Sequence, residues 1–217
     1  VNSTIADRIL QIKQELPKTV KLIAVSKYAS VEAMREAYQA GIRDFGESRV
    51  LEAIAKKQEL QDLPDITWHM IGTLQSNKAR QALLNFDWIH SVDRLSLAQQ
   101  LNRLAIETNT QISICLQVKL ADDPSKSGWS EQELIDNLAS LAQCQAIQIK
   151  GLMTILPLGL TPQQSLNIFQ KVAALKNRLN SQGWQNIKEL SMGMSQDYDL
   201  AVKAGATMIR IGSKVFG

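Results

Sequence analysis

Cysteine is scarce: Cys115 and Cys144 are the only two among 217 residues. They show no metal-ligand spacing, and Cys115 stands in an apolar strand-like run. A buried, reduced thiol is therefore the reading, and a reducing cytosol is the compartment that fits. Histidine is equally rare, and His69 and His90 alone argue against a histidine-built metal site. No apolar run approaches the roughly 20 residues that a bilayer span needs. The N-terminus carries Asp7, Arg8, Lys13 and Glu15 and lacks the apolar stretch of a signal peptide. Charge of one sign is also lacking, because 24 basic residues face 21 acidic ones and the basic ones are scattered. That pattern argues against nucleic-acid binding. What is left, 45% hydrophobic and 21% charged residues, describes an ordinary soluble globular chain of one domain, residues 1–217.

What is present is a regular alternation. The stretch Leu22-Ile23-Ala24-Val25-Ser26 reads as a strand buried on both faces and ends in Lys27. A helix over Val31 to Ala40 follows at once, with Ser30 as N-cap and Gly41 as its stop. Further strands are expected at residues 42–48, 65–72, 88–92, 112–120, 147–155, 187–190 and 208–212. Helices are expected between them, at residues 48–60, 76–84, about 97–108, 130–141, 161–180 and from Ser195 to Gly205. An additional amphipathic helix over residues 3–16 precedes the first strand, with Ile5, Ile9, Ile12 and Leu16 on one stripe. Ser130 with Glu133, and Thr161 with Pro162 and Gln164, are helix-start signals. Leu166, Phe169, Val172, Leu175 and Leu179 are the expected core face of the helix that Thr161 opens. Strand and helix alternating through eight units imply a parallel sheet closed into a (β/α)8 barrel of the TIM type.

In such a barrel the chemistry lies at the C-terminal ends of the strands. Those ends deliver Lys27, Glu47 and Ser48, His69, Ser91, Lys119, Met153, Ser191 through Ser195, and Arg210 through Ser213. The last two turns, Ser191-Met192-Gly193-Met194-Ser195 and Arg210-Ile211-Gly212-Ser213, suit a phosphate. Gly193 and Gly212 admit close backbone approach, Ser195 and Ser213 add hydroxyls, and Arg210 adds charge. Lys27 has two readings: a strand-end lysine snorkelling to water, or a partly desolvated amine able to attack a carbonyl. His69 is either an orienting group or a satisfied structural histidine. Lys119 and Lys126 read as solvated, and Asn77 and Lys78 as loop-positioning residues. A lysine facing a phosphate cradle describes a site for a phosphorylated aldehyde: pyridoxal 5′-phosphate, or a sugar phosphate in an aldolase.

Five blocks then carry a specific resemblance. They are Leu22-Ile23-Ala24-Val25-Ser26-Lys27, Phe45-Gly46-Glu47, Trp68-His69-Met70-Ile71-Gly72 with Leu74-Gln75-Ser76-Asn77-Lys78, Ser191 through Asp197, and Ile209-Arg210-Ile211-Gly212. In this order they cover essentially the whole chain, which resembles the pyridoxal phosphate homeostasis proteins (the YggS/PROSC family). The resemblance implies a barrel of the alanine racemase N-terminal type, with the cofactor on Lys27 as an internal aldimine. It also implies a role in vitamin B6 and amino-acid homeostasis without an established reaction. By the same resemblance, Ser195, Arg210, Gly212 and Ser213 match positions at or near the cofactor phosphate. Gly193, Met194 and Ser191 in the same turn, with Ser48 and His69, complete the expected site. Ser48 stands where the family often has Asn.

A small racemase or lyase is the alternative, and an interaction protein in which the cofactor signals state is a third reading. Racemisation needs acid/base groups on both faces of the substrate. The tyrosines here are Tyr28, Tyr38 and Tyr198, and Tyr198 is expected to pack rather than react. A closed barrel without sheet edges, and without the second domain through which racemases pair, is expected to be a monomer.

Overall fold

The computed structural model describes residues 3–121, 123 and 127–217. Its eight strands form a closed parallel barrel in chain order. They are β1 (Lys21–Val25), β2 (Asp44–Glu47), β3 (Thr67–Met70), β4 (Trp88–Val92), β5 (Ile112–Gln117), β6 (Ile147–Met153), β7 (Glu189–Ser191) and β8 (Met208–Ile211). The last strand closes on the first, with Lys21 opposite Met208 and Ile23 opposite Arg210. Around them lie α1 (Ile5–Glu15), α2 (Val31–Gln39), α3 (Val50–Glu59), α4 (Ala79–Asn85) and α5 (Leu95–Thr108). The ring is completed by α6 (Glu131–Asp136), α7 (Leu138–Ala142), α8 (Pro162–Ser181), α9 (Tyr198–Lys203) and α10 (Ser213–Phe216). Among the described residues no helix is long and apolar enough to cross a membrane.

The expected start signals are present. Ser30 accepts the Ala33 N–H, and Thr4, Ser130 and Thr161 each form a reciprocal capping box. Thr161 opens the longest helix, so Thr161→Ala is expected to lower stability by about 1 kcal/mol in urea denaturation. Ile5, Ile9 and Ile12 are the buried face of α1, which packs on α2 and α10 and so is a fixed part of the fold.

Other expectations are corrected. The run expected at 76–84 begins with a 3-10 turn, Ser76–Lys78. The run expected at 130–141 divides into α6 and α7 at Asn137, whose amide donates to the Glu133 carbonyl at 2.8 Å and so competes with the helix backbone. Along α8 it is Ile168 that is buried beside Phe169, whereas Leu166 is half-buried. Ser195 does not cap α9. Asp197 stands at the N-cap, and its carboxylate accepts the Met194 N–H at 2.6 Å. The side chain therefore closes the turn before the helix.

Strand register divides side chains between the barrel interior and the helix layer. Gly46 lies opposite His69 and His69 opposite Trp88, so these share a level with inward-facing neighbours. Barrel interiors are usually filled by branched apolar residues. This one holds buried His69, His90, Ser191 and Arg210 instead.

Candidate functional site

A cleft of about 1290 Å³ opens at the C-terminal ends of the strands. Lys27, Ser48, Met194, Ser195, Arg210, Gly212 and Ser213 all line it. The strand ends thus bring together residues as far apart in the sequence as Lys27 and Ser213. Val25, Ile71 and Gln117 line it too and were missed in the sequence. They continue the inward phase of β1, β3 and β5, a signal that becomes readable once the register is known.

Lys27 stands on a fixed base. Ser26 before it is buried; its N–H donates to the Gly46 carbonyl at 2.9 Å and its hydroxyl to Glu47 at 2.7 Å. Lys56 of α3 reaches the same pair, donating to the Ser26 carbonyl at 2.6 Å and to Glu47 at 2.9 Å. Glu47 therefore faces the helix layer and anchors the strand end rather than lining the cleft. The Lys27 side chain is exposed, with its Nζ 5.1 Å from the Tyr28 ring centroid. Of its two readings, this is the strand-end lysine that reaches water: β1 ends at Val25 and the amine projects into the open cleft.

The two turns after β7 and β8 form the wall beside Lys27, because β8 pairs with β1 and β7 with β8. The N–H groups of Ser195, Gln196, Ser213 and Lys214 have no backbone acceptor among the described residues. Together with the Ser195 and Ser213 hydroxyls they make a set of donors lacking acceptors, which suits an anion. Burial is the leading influence on Asp197 in this turn, and it pushes the carboxyl above its ordinary range.

Three expected residues face elsewhere. Gly193 is buried under its turn, where an added Cβ would lie 2.6 Å from Ala201 Cβ and 2.9 Å from Tyr198 Cα. Its smallness serves the packing of α9. Ser191 points into the barrel, where its hydroxyl meets His90 Nδ1 at 2.8 Å and Arg210 at 2.7 Å. His69 is buried and bridges His90, at 2.9 Å, and Asp44, also at 2.9 Å, so the structural reading of this histidine holds. Arg210 donates to Ser191 and to the Thr154 carbonyl at 2.8 Å. It forms part of the cleft floor, and its backbone N–H donates to the Gly193 carbonyl at 3.0 Å, tying the two turns together. Burial lowers Arg210 to about 10, which leaves it charged at neutral pH.

Smaller assignments also resolve. Lys119 is half-buried and donates to the Asp123 carbonyl at 3.3 Å, and Lys126 lies outside the described residues. Ser91 is buried in β4. The Tyr198 hydroxyl donates to Glu15 of α1 at 2.5 Å, the packing role expected of it. Among the described residues no group of His, Cys, Asp or Glu is placed to hold a metal.

The family model for the alanine racemase N-terminal domain matches residues 2–217. A pyridoxal phosphate homeostasis protein of Synechocystis sp. is 48% identical over 207 residues, covering 95% of this chain and 95% of that protein. This chain belongs to the pyridoxal phosphate homeostasis protein family. PipY of Synechococcus elongatus PCC7942, solved with PLP bound, is similar at 51% identity and a TM-score of 0.95, covering 99% of this chain and all of that one. Alanine racemase of Clostridium difficile 630 shares the fold at a TM-score of 0.82 and 15% identity, and this chain spans 59% of its length. The barrel expected from the family resemblance is thus the barrel observed.

Proposed function

We propose that this chain binds pyridoxal 5′-phosphate through Lys27 and serves vitamin B6 and amino-acid homeostasis, holding the cofactor without turnover. The observation that carries the reading is one cleft in which an exposed lysine stands beside a wall of acceptor-less donors. The donor set fits a phosphate: hydroxyls of Ser195 and Ser213 and the N–H groups of both turns would hold it. When bound, the cofactor supplies an aldehyde that a lysine amine can hold covalently. Lys27 presents that amine from a strand end clamped by Glu47 and Lys56. Arg210 supplies positive charge at the floor, and Gly212 brings the backbone of its turn to the cleft surface. Tyr198, committed to Glu15, is a packing residue and not an acid facing Lys27. The closed barrel offers no sheet edge to a partner, which supports a monomer, and two buried free thiols are in keeping with the cytosol as its compartment.

The test is the visible spectrum of protein incubated with pyridoxal phosphate, before and after borohydride. Wild type is expected to turn yellow, and after reduction to carry the cofactor on Lys27 in peptide mass mapping. Lys27→Ala is expected to carry none. A wild-type protein that stays colourless and unlabelled overturns the reading. Exchange of an amino acid's α-proton in deuterated water would replace it with the racemase or lyase alternative.

A further inference from the structure

The polar residues inside the barrel form a continuous file that reaches well below the cleft. Arg210 meets the Ser191 hydroxyl at 2.7 Å, Ser191 meets His90 Nδ1 at 2.8 Å, and His90 Nε2 meets His69 Nδ1 at 2.9 Å. His69 Nε2 then meets Asp44 at 2.9 Å, and Lys21 pairs with the same Asp44 oxygen at 2.9 Å. His69 and His90 are fully buried, whereas the Asp44 and Lys21 side chains are 16% and 41% exposed. The file therefore starts at the solvent-reaching N-terminal ends of β1 and β2 and finishes at the floor of the cleft.

Its two ends fix its direction. A guanidinium can only donate and an ionised carboxylate can only accept. Ser191 takes an Arg210 N–H, so its own proton goes to His90 Nδ1. His90 must then carry its proton on Nε2 and give it to His69 Nδ1. His69 must likewise carry Nε2–H and give it to Asp44. Placing the His69 proton on Nδ1 instead would set a bare Nε2 against the Asp44 carboxylate, two acceptors 2.9 Å apart. It would also force His90 to donate into Ser191 and leave the serine proton without an acceptor in the file. One arrangement satisfies every link.

We propose that Asp44, His69, His90 and Ser191 form a one-way hydrogen-bonded relay that fixes both histidines as neutral Nε2–H tautomers and holds the Arg210 guanidinium at the cleft floor. His90 is then a positioning residue that acts through Arg210. Burial disfavours charge on both rings, in keeping with neutral tautomers. The relay itself does not depend on the cofactor reading; its effect on cofactor affinity rests on that reading.

With only two histidines in the chain, long-range ¹H–¹⁵N spectra of the cofactor-free, ¹⁵N-histidine-labelled protein read the relay directly. Both rings are expected as single Nε2–H tautomers at pH 7. A Nδ1–H tautomer, a rapidly mixing pair or an imidazolium at either ring overturns the proposal. The positioning role is read on Arg210 itself, whose guanidinium N–H signals are expected to be resolved and slowly exchanging in the cofactor-free wild type. His90→Leu is expected to collapse them, and His90→Gln, which keeps a donor and an acceptor, to restore them. Ser191→Ala, which only removes a hydroxyl, is expected to act like His90→Leu and serves if the leucine variant does not fold. Unchanged Arg210 signals in the folded Leu or Ala variant overturn the positioning role. In parallel the dissociation constant for pyridoxal phosphate is expected to rise about tenfold in these variants, the size of one lost charge-assisted hydrogen bond. If wild type binds no cofactor, the functional reading falls while the tautomers and the Arg210 signals still decide the relay.

Discussion

Gly193→Ala is expected to destabilise the protein by about 2–5 kcal/mol, read as a lower urea midpoint at an unchanged slope. Two costs combine. The residue has a φ of 93°, in the left-handed region, where a Cβ costs roughly 1–2 kcal/mol. The new methyl would also stand 2.6 Å from Ala201 Cβ and 2.9 Å from Tyr198 Cα, and overpacking of this kind costs about 1–3 kcal/mol. Gly183→Ala separates the two, because its φ is 99° but nothing lies within 4 Å of the added atom. It is expected to show the backbone cost alone. Equal losses in the two variants would remove the packing argument. Because α9 must move away from Gly193 to admit the methyl, the adjoining Met194-Ser195 turn is expected to lose anion affinity in the same variant.

Stability is expected to fall as pH drops from 7 to 5, because two histidines whose unfolded pKa is about 6.5 resist protonation in the native barrel. Burial holds both His69 and His90 below their ordinary value. Their contribution is therefore fully present above pH 6.5. It declines as pH falls through that value, because the unfolded chain takes up protons that the native rings refuse. Each ring contributes a slope of up to about 1.4 kcal/mol per pH unit. The charged groups around them are Asp44, Lys21, Asp87 and Arg210. Asp44 favours the charged His69, Lys21 opposes it, and desolvation outweighs the carboxylate. Burial works to raise Asp44, but its bonds to His69 and Lys21 leave it below the carboxylate range. Its contribution is thus present above about pH 3.9 and is lost as pH falls further, in the same sense as the histidines. Urea denaturation at pH 7, 6 and 5 measures the slope, and His90→Gln is expected to reduce it. A flat profile across this range would show that the rings are not held neutral.

The barrel was legible because local signals agreed with one another. Ser30, Ser130 and Thr161 mark helix starts by chemistry acting over three residues, and the apolar run before Lys27 marks a buried strand. Position at a strand end was therefore readable, and Lys27, Ser195, Gly212 and Ser213 do reach the cleft. Direction was not readable. Ser191 and Gly193 share a turn with Ser195, yet one faces the barrel axis and the other α9, because β7 ends at Ser191 and the chain has left the strand by Gly193, whose φ is 93°. The interior relay was invisible for a further reason. His69, His90, Ser191 and Arg210 come from four strands, and only parallel register across the closed barrel stacks them. Each looks like an isolated polar residue in its own segment. Of the two readings of Lys27, exposure favours the one that reaches water, and sequence could not separate them because the outcome turns on how far β1 extends.

The clamp on Ser26 has a kinetic meaning. Glu47 and Lys56 immobilise the backbone beneath Lys27, while the amine itself already stands in an open cleft. Capture of a ligand there requires no lid to swing and no strand to shift. Loading then follows simple second-order encounter, rising linearly with ligand concentration and showing no lag from a conformational step. On the proposed attachment at Lys27, departure would be timed by bond chemistry at that amine, so residence of the ligand would be set by water and competing amines reaching the cleft rather than by any motion of the barrel.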